Sequence, residues 1–149
     1  CQVSLPPRES KQRGGTCPAC GKPLTIGVLH RVEELADRPE GFRPPGAFGF
    51  VKIVELDKII AEAFGVKSRQ SKAVQEEFRR ILECGGTELK ILLNLAYDEL
   101  SRITSPEVVE GIRRAREGRV NVTPGYDGQY GRVQIFDPKE IGTRQSALF

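Results

Sequence analysis

The sequence predicts an α+β chain: a small zinc-ribbon-like module, then a helical domain closed by a C-terminal β-hairpin. Three observations carry that expectation. The first 47 residues hold three of the four cysteines and seven of the ten prolines. Apolar residues then recur with a period near four from Leu56 to Gly118, and with a period of two beyond Val120. The expected limits are 1–47 for the zinc-binding module, 48–137 for the helical domain with its hairpin, and 138–149 for a flexible tail.

Within the module, Gly14-Gly15 and Pro44-Pro45-Gly46 are breakers, so Cys1 to about Pro23 reads as loop-rich. Leu24 to Leu29 reads as a short strand, and His30 to Asp37 as a short helix ended by Pro39. Glu40 to Gly49 reads as a linker or wrapping loop. Leu56, Ile60 and Phe64 recur every four residues, and Gly65 supplies a stop. Ser71 to Leu82 carries Val74, Phe78 and Ile81/Leu82 on one face, with Glu76 and Arg80 in the favourable i, i+4 order. Gly85-Gly86 breaks that helix, and the apolar run Leu89 to Leu95 is helical by context. Ser105-Pro106 starts another helix, Ser as cap and Pro at the first helical position. Val108, Ile112 and Ala115 form its buried stripe, and Gly118 ends it. Val120 and Val122, then Val133 and Ile135, alternate with polar neighbours, and the Gly-rich run between them reads as a long hairpin connection.

Composition excludes more than it identifies. Apolar content of 38% supports a real core, and with no Trp, seven Phe and three Tyr that core must be mainly aliphatic. A single imidazole, His30, leaves no room for a catalytic centre built from several histidines. No G-x-S-x-G elbow and no Walker P-loop is present, so no catalytic residue is assigned to this chain. No secretory signal opens the sequence, and no run approaches the roughly 18 apolar residues of a membrane span, so a cytoplasmic location is expected. The net charge of +3 is compatible with nucleic acid without pointing to it. The sequence has no Met and begins on Cys1, from which a piece of a longer protein is expected.

Cys17-Pro18-Ala19-Cys20-Gly21 is the strongest local signal. Two thiolates spaced by two residues and followed by Gly form the tight knuckle that presents sulfur to a tetrahedral zinc ion. Cys1 lies 16 residues before Cys17, the interval between the knuckles of a C-x2-C…C-x2-C site. Cys1, Cys17 and Cys20 are therefore the candidate ligands of a structural zinc. The fourth ligand is open: a cysteine three residues upstream of Cys1, or completion by His30 or Cys84. A redox C-x-x-C pair and inert thiols are the competing readings. Cys84 otherwise reads as a buried apolar residue.

Arg113, Arg114, Arg116 and Arg119 cluster at the end of one helix, and Lys67, Arg69 and Lys72 flank the start of another. Either they are a solvated face whose charge suits a helix C-terminus, or they contact the phosphates of a nucleic acid. Phe64-Gly65-Val66 leading into Ala73 resembles a helix-hairpin-helix, which offers backbone N–H groups to phosphate. Tyr126 and Tyr130 could stack on a base or pin the turn to the core; Asp127 reads as a turn residue. The tail ends Gln145-Ser146-Ala147-Leu148-Phe149, which resembles the Gln-x-x-Leu-Phe pentapeptide by which bacterial proteins dock on the replication sliding clamp. Leu148 and Phe149 would fill an apolar pocket, with Gln145 at its rim.

Three runs resemble the endonuclease Q family: Cys17 through Asp37, Glu110-Gly-Ile-Arg-Arg114, and Pro124-Gly-Tyr-Asp-Gly-Gln-Tyr-Gly131. The resemblance covers nearly the whole chain. It implies an N-terminal polymerase-and-histidinol-phosphatase (PHP) metal domain outside this sequence, followed by a zinc-binding module and a C-terminal domain that this chain represents. It implies a DNA repair nuclease that nicks 5′ of deaminated bases such as uracil or hypoxanthine, with the catalytic metal ions in the PHP domain. DNA and the sliding clamp are then the expected partners. The resemblance calls for a fourth zinc ligand, and Cys1 has no second knuckle cysteine beside it in this sequence. The alternative is a free-standing zinc-ribbon adaptor that docks on a partner such as the clamp through its tail.

Overall fold

The computed structural model describes residues 1, 3–125 and 130–137. The chain divides into two units, one built on Cys1–Gly49 and the other on Phe50–Pro124 with the chain from Gly131. Seven helices and one two-stranded antiparallel ribbon are seen among the described residues. The expected α+β class holds.

The N-terminal unit contains α1 (Pro7–Gln12) and α2 (Val28–Leu35). Helix α1 lies in the stretch expected to be loop-rich, and Pro7 sits at its first helical position, where a missing N–H is no loss. The expected strand at 24–29 does not form. The N–H of Leu24 donates to the Gly15 carbonyl at 2.7 Å, but no ladder follows from it among the described residues, and Val28 already opens α2. Helix α2 begins two residues before His30 and ends at Leu35, where Ala36 turns extended.

In the second unit, α3 (Leu56–Ala63) packs on α4 (Lys72–Gly85) and α7 (Pro106–Arg116), with α5 (Glu88–Leu93) and α6 (Tyr97–Ile103) between. Leu56, Ile59, Ile60, Val74, Ile81, Ile91, Leu100, Val108 and Ile112 are fully buried in one aliphatic core. The four-residue spacing predicts Leu56, Ile60, Val74, Ile81, Val108 and Ile112 among them. Phe64, expected on the same stripe as Leu56 and Ile60, is exposed because it sits at the C-cap, past the end of α3. Each such side chain contributes about 1.5–3 kcal/mol relative to exposure. The ribbon pairs β1 (Asn121–Thr123) with β2 (Arg132–Gln134), Val122 opposite Val133. Ile135 and Phe136, just past β2, drop into the core. They are fixed there by Glu62 of α3, whose Oε2 accepts the N–H of Ile135 at 2.7 Å and of Phe136 at 3.4 Å.

Helix ends are handled in two ways. Helices α3 and α7 close with a glycine in the left-handed region, Gly65 and Gly118, which no β-carbon-bearing residue adopts as readily. After each, the next N–H reaches back to the helix: Val66 to the Ala61 carbonyl, and Arg119 to that of Arg114, both at 2.8 Å. Helix α5 has no such glycine. Its carbonyls at Ile91 and Leu92, and that of Leu95 just beyond the helix, are instead capped by Arg116, whose guanidinium donates to all three at 2.7–2.8 Å. Ser105 occupies the cap position of α7, but its hydroxyl is buried and makes no hydrogen bond among the described residues. Arg80 does not pair with Glu76; it forks onto Glu77 at 2.6–2.9 Å, and Glu77 also accepts from Thr104.

Close approach of α3 and α7 depends on Gly111. A β-carbon there would lie 2.6 Å from Cγ2 of Ile59 and 3.4 Å from the Phe136 ring. Gly111→Ala is expected to lower stability by about 1–3 kcal/mol through overpacking. Denaturant unfolding checks this, and an unchanged midpoint would contradict the tight contact.

Candidate metal centre and nucleic-acid interface

The knuckle is assembled by backbone hydrogen bonds. The N–H of Cys17 donates to Lys22 at 2.8 Å, and the N–H of Gly21 returns to Cys17 at 2.9 Å. Gly21 has φ 70°, the left-handed turn that reverses the chain directly after the second cysteine. An isolated antiparallel bridge between Thr16 and Pro23 closes the loop. The N–H groups of Ala19 and then Cys20 point at the sulfur of Cys17 and hold its pKa below the ordinary thiol value. These donors favour the thiolate, the form that binds metal.

Cys1 completes a cluster in which the three Sγ atoms all lie within 4.8 Å of one another. Tetrahedral zinc with Zn–S bonds of about 2.3 Å sets its sulfurs about 3.8 Å apart, so the thiols need at most about 1 Å of inward closure. Cys17 is buried, whereas Cys1 and Cys20 are exposed. Soft donors converging at this spacing fit a metal ion. Among the described residues no fourth Cys, His, Asp or Glu joins them. His30 instead faces Glu34 across 3.5 Å. Cys84, expected to be buried, is exposed on α4, because the inward positions of that stretch are taken by Ile81 and Gly85.

The basic residues fall into two kinds. Arg69 pairs with Asp57 at 3.1 Å and Glu55 at 3.6 Å, and Lys72 with Glu76 at 3.7 Å; all are surface pairs. Lys67 is exposed and lines, with Arg69 and Lys58, a groove of about 460 Å³ beside Val133. Arg119 pairs with Glu117, and Arg113 lies near Glu110 and over the Tyr97 ring. Exposed pairs of this kind are worth about 0–1 kcal/mol, so a phosphate can displace the carboxylates. Arg114 and Arg116 are different. Arg114 binds Glu110 and the Ile135 carbonyl and stacks on Phe136, while Arg116 is committed to the α5 carbonyls. Sequence reasoning groups all four arginines because it sees charge and not the missing glycine after α5.

The resemblance of Phe64-Gly65-Val66 to a phosphate-binding hairpin meets an obstacle. The N–H groups of Gly65 and Val66 are already engaged by Glu62 and Ala61 of α3. Tyr130 is fully exposed. Tyr126, Asp127 and the clamp-like segment with Gln145, Leu148 and Phe149 lie outside the described residues. No helix among the described residues is long and apolar enough to cross a membrane.

Residues 55–119 match the family model of the MJ0043 C-terminal domain. The chain is 35% identical over 145 residues to the protein MJ0043 of Methanocaldococcus jannaschii, covering 95% of this chain and 18% of that protein. It is 29% identical over 119 residues to YqxK of Bacillus subtilis, covering 79% of this chain and 27% of YqxK. Among solved structures, it is similar to the lesion-specific endonuclease PfuEndoQ from Pyrococcus furiosus, with a TM-score of 0.74 and 30% identity. It is also similar to an endonuclease Q complex with a 27-mer duplex carrying an abasic lesion at the active site, TM-score 0.69 and 29% identity. Each match covers 95% of this chain and 34% of the solved chain. The resemblance to endonuclease Q therefore holds, in sequence and in fold, over nearly the whole chain, which spans about a third of those endonucleases.

Two substitutions test the metal centre. Cys17→Ser and Cys20→Ser are each expected to abolish stoichiometric metal retention, measured by elemental analysis after gel filtration, whereas Cys84→Ser leaves it unchanged. Loss of metal in the Cys84 variant instead would contradict the assignment.

Proposed function

We propose, from the premise that this chain is an endonuclease Q-type segment, that it handles DNA for a repair endonuclease whose cutting centre lies in a PHP metal domain outside this sequence. The observation that carries the reading is the 95% coverage of this chain by an endonuclease Q bound to lesion-containing duplex. The enzyme so assembled nicks 5′ of deaminated bases such as uracil or hypoxanthine, which requires exposing the base at a cost of a few kcal/mol. No catalytic residue is assigned here.

Zinc is the metal that best suits the three thiols, since thiolate donors select it and its role in such knuckles is structural. Lys67, Arg69, Lys72, Arg113 and Arg119 contact backbone phosphates, while Arg114 and Arg116 position the helix end that presents their neighbours. Tyr130, and Tyr126 with it, stack on exposed bases. Gln145, Leu148 and Phe149 dock on the sliding clamp and hold the enzyme near replicating DNA.

Duplex binding by this chain should weaken steeply with salt. Replacing Lys67, Arg69 and Lys72 by Glu is expected to reduce the log–log salt slope by about 0.9 for each phosphate that is no longer neutralised. The same slope in wild type and variant would remove these residues from the interface. Uracil-containing duplex should remain uncut by the chain alone in Mn²⁺ or Zn²⁺, and metal-dependent nicking would show that cutting does not need another domain.

A further inference from the structure

Helix α2 is amphipathic in the reverse sense. Val28, Leu29, Val32 and Leu35 form a helical stripe at i, i+1, i+4 and i+7, and they are 81, 69, 55 and 66% exposed. The polar residues are turned the other way. Glu33 is half-buried and ion-paired at 3.1 Å with Arg8 of α1, and His30 is the other half-buried residue of the helix. Helix α2 therefore faces its own unit with its charged side and offers its apolar side outward. Ile26, immediately before it, extends the stripe at 53% exposure.

A surface helix normally does the opposite, and a contiguous exposed apolar stripe marks an interaction surface. The surrounding unit sharpens the anomaly. Between Cys1 and Gly49, Cys17 is the sole apolar residue that is buried among the described residues, and the aliphatic core belongs wholly to the other unit. The stripe is thus not surplus from a core already built; it is the helical part of the apolar surface the unit exposes, which also includes Phe42 and Phe48.

We propose that this stripe docks against the part of an endonuclease Q-type protein that lies beyond the third matched here. The size of that remainder supplies the occupant: the chain matches 34% of the solved endonucleases along 95% of its own length. Two-thirds of each solved chain is therefore available to cover the stripe. The contact is an apolar protein–protein seam, with Leu29 and Val32 at its centre. Arg31 and Glu34, paired with each other at 3.0 Å, form its polar rim. The inference rests on the endonuclease Q reading, and it adds that the metal knuckle and α1 serve to present α2 to the rest of the enzyme.

Photochemical carbene footprinting tests it with two intact proteins, this chain and full-length Pyrococcus furiosus endonuclease Q. Residues 28–35 of this chain should label heavily, and the aligned peptide of the full-length enzyme at least about fivefold less. Equal labelling of the two peptides overturns the proposal. Sedimentation of this chain supplies the second arm, in wild type and with Leu29→Asp and Val32→Asp. A monomer in both agrees with the proposal, whereas a dimer that the substitutions dissolve assigns the stripe to self-association and overturns it. Metal content and duplex affinity of the same variant should stay unchanged, so failure of the docking stays distinct from failure of the DNA-handling reading.

Discussion

The N-terminal unit has almost no hydrophobic interior, and that shortage constrains everything else it does. Burial of apolar surface is the main force that offsets chain entropy, yet Cys17 and Ser10 are its only buried residues among those described. What converges instead is sulfur: three thiols within 4.8 Å, held by a knuckle of backbone hydrogen bonds. A metal bound by such a cluster stabilises a small unit directly, with binding free energies of about 10–16 kcal/mol in comparable structural zinc peptides. The ion there would supply cohesion and no chemistry. The depressed pKa of Cys17 has the same origin, since the N–H groups that shape the turn also solvate its thiolate. Through that shift the thiolate contributes its full stability above the ordinary thiol value of 9.0, and the contribution is lost as the pH falls through the lowered pKa of the folded unit.

The second unit solves the folding problem in the ordinary way, with an aliphatic core, and then uses polar groups to join its elements. Glu62 ties the exit of the ribbon to α3, Glu88 accepts the N–H of Leu56 at the start of α3, and Arg116 closes α5. These three contacts link residues 21 to 73 positions apart. They also explain why a cluster of like charges persists around Arg113 to Arg119. Two of its members, Arg114 and Arg116, are architectural, whereas Arg113 is half-buried and Arg119 exposed, and under the proposed function these two are the ones that meet phosphate.

Periodicity makes the helical unit legible in the sequence. Leu56, Ile60, Val74, Ile81, Val108 and Ile112 are readable as inward positions because each sits on a stripe of period near four, and all six are buried. The alternation of Val120 and Val122 with Val133 and Ile135 likewise marks the ribbon. Short elements are less legible. Helices α1 and α6 span six and seven residues, too few for a period to declare itself. Helix α2 misleads in a different way: its apolar run looks like a strand followed by a helix because the stripe faces outward and so carries no signature of an enclosed core. The thiol cluster is legible from spacing alone, since Cys1 and the Cys17–Cys20 knuckle keep the interval of a paired-knuckle site. The capping role of Arg116 is not, because it depends on carbonyls over twenty positions away.

The central claim, that metal substitutes for a core in the N-terminal unit, is tested most directly by hydrogen exchange on the chain with zinc and after its removal by chelation. The account predicts that protection across α1, the knuckle and α2 is lost with the metal, while α3 to α7 keep theirs. Equal protection of residues 7–35 in both states would contradict it.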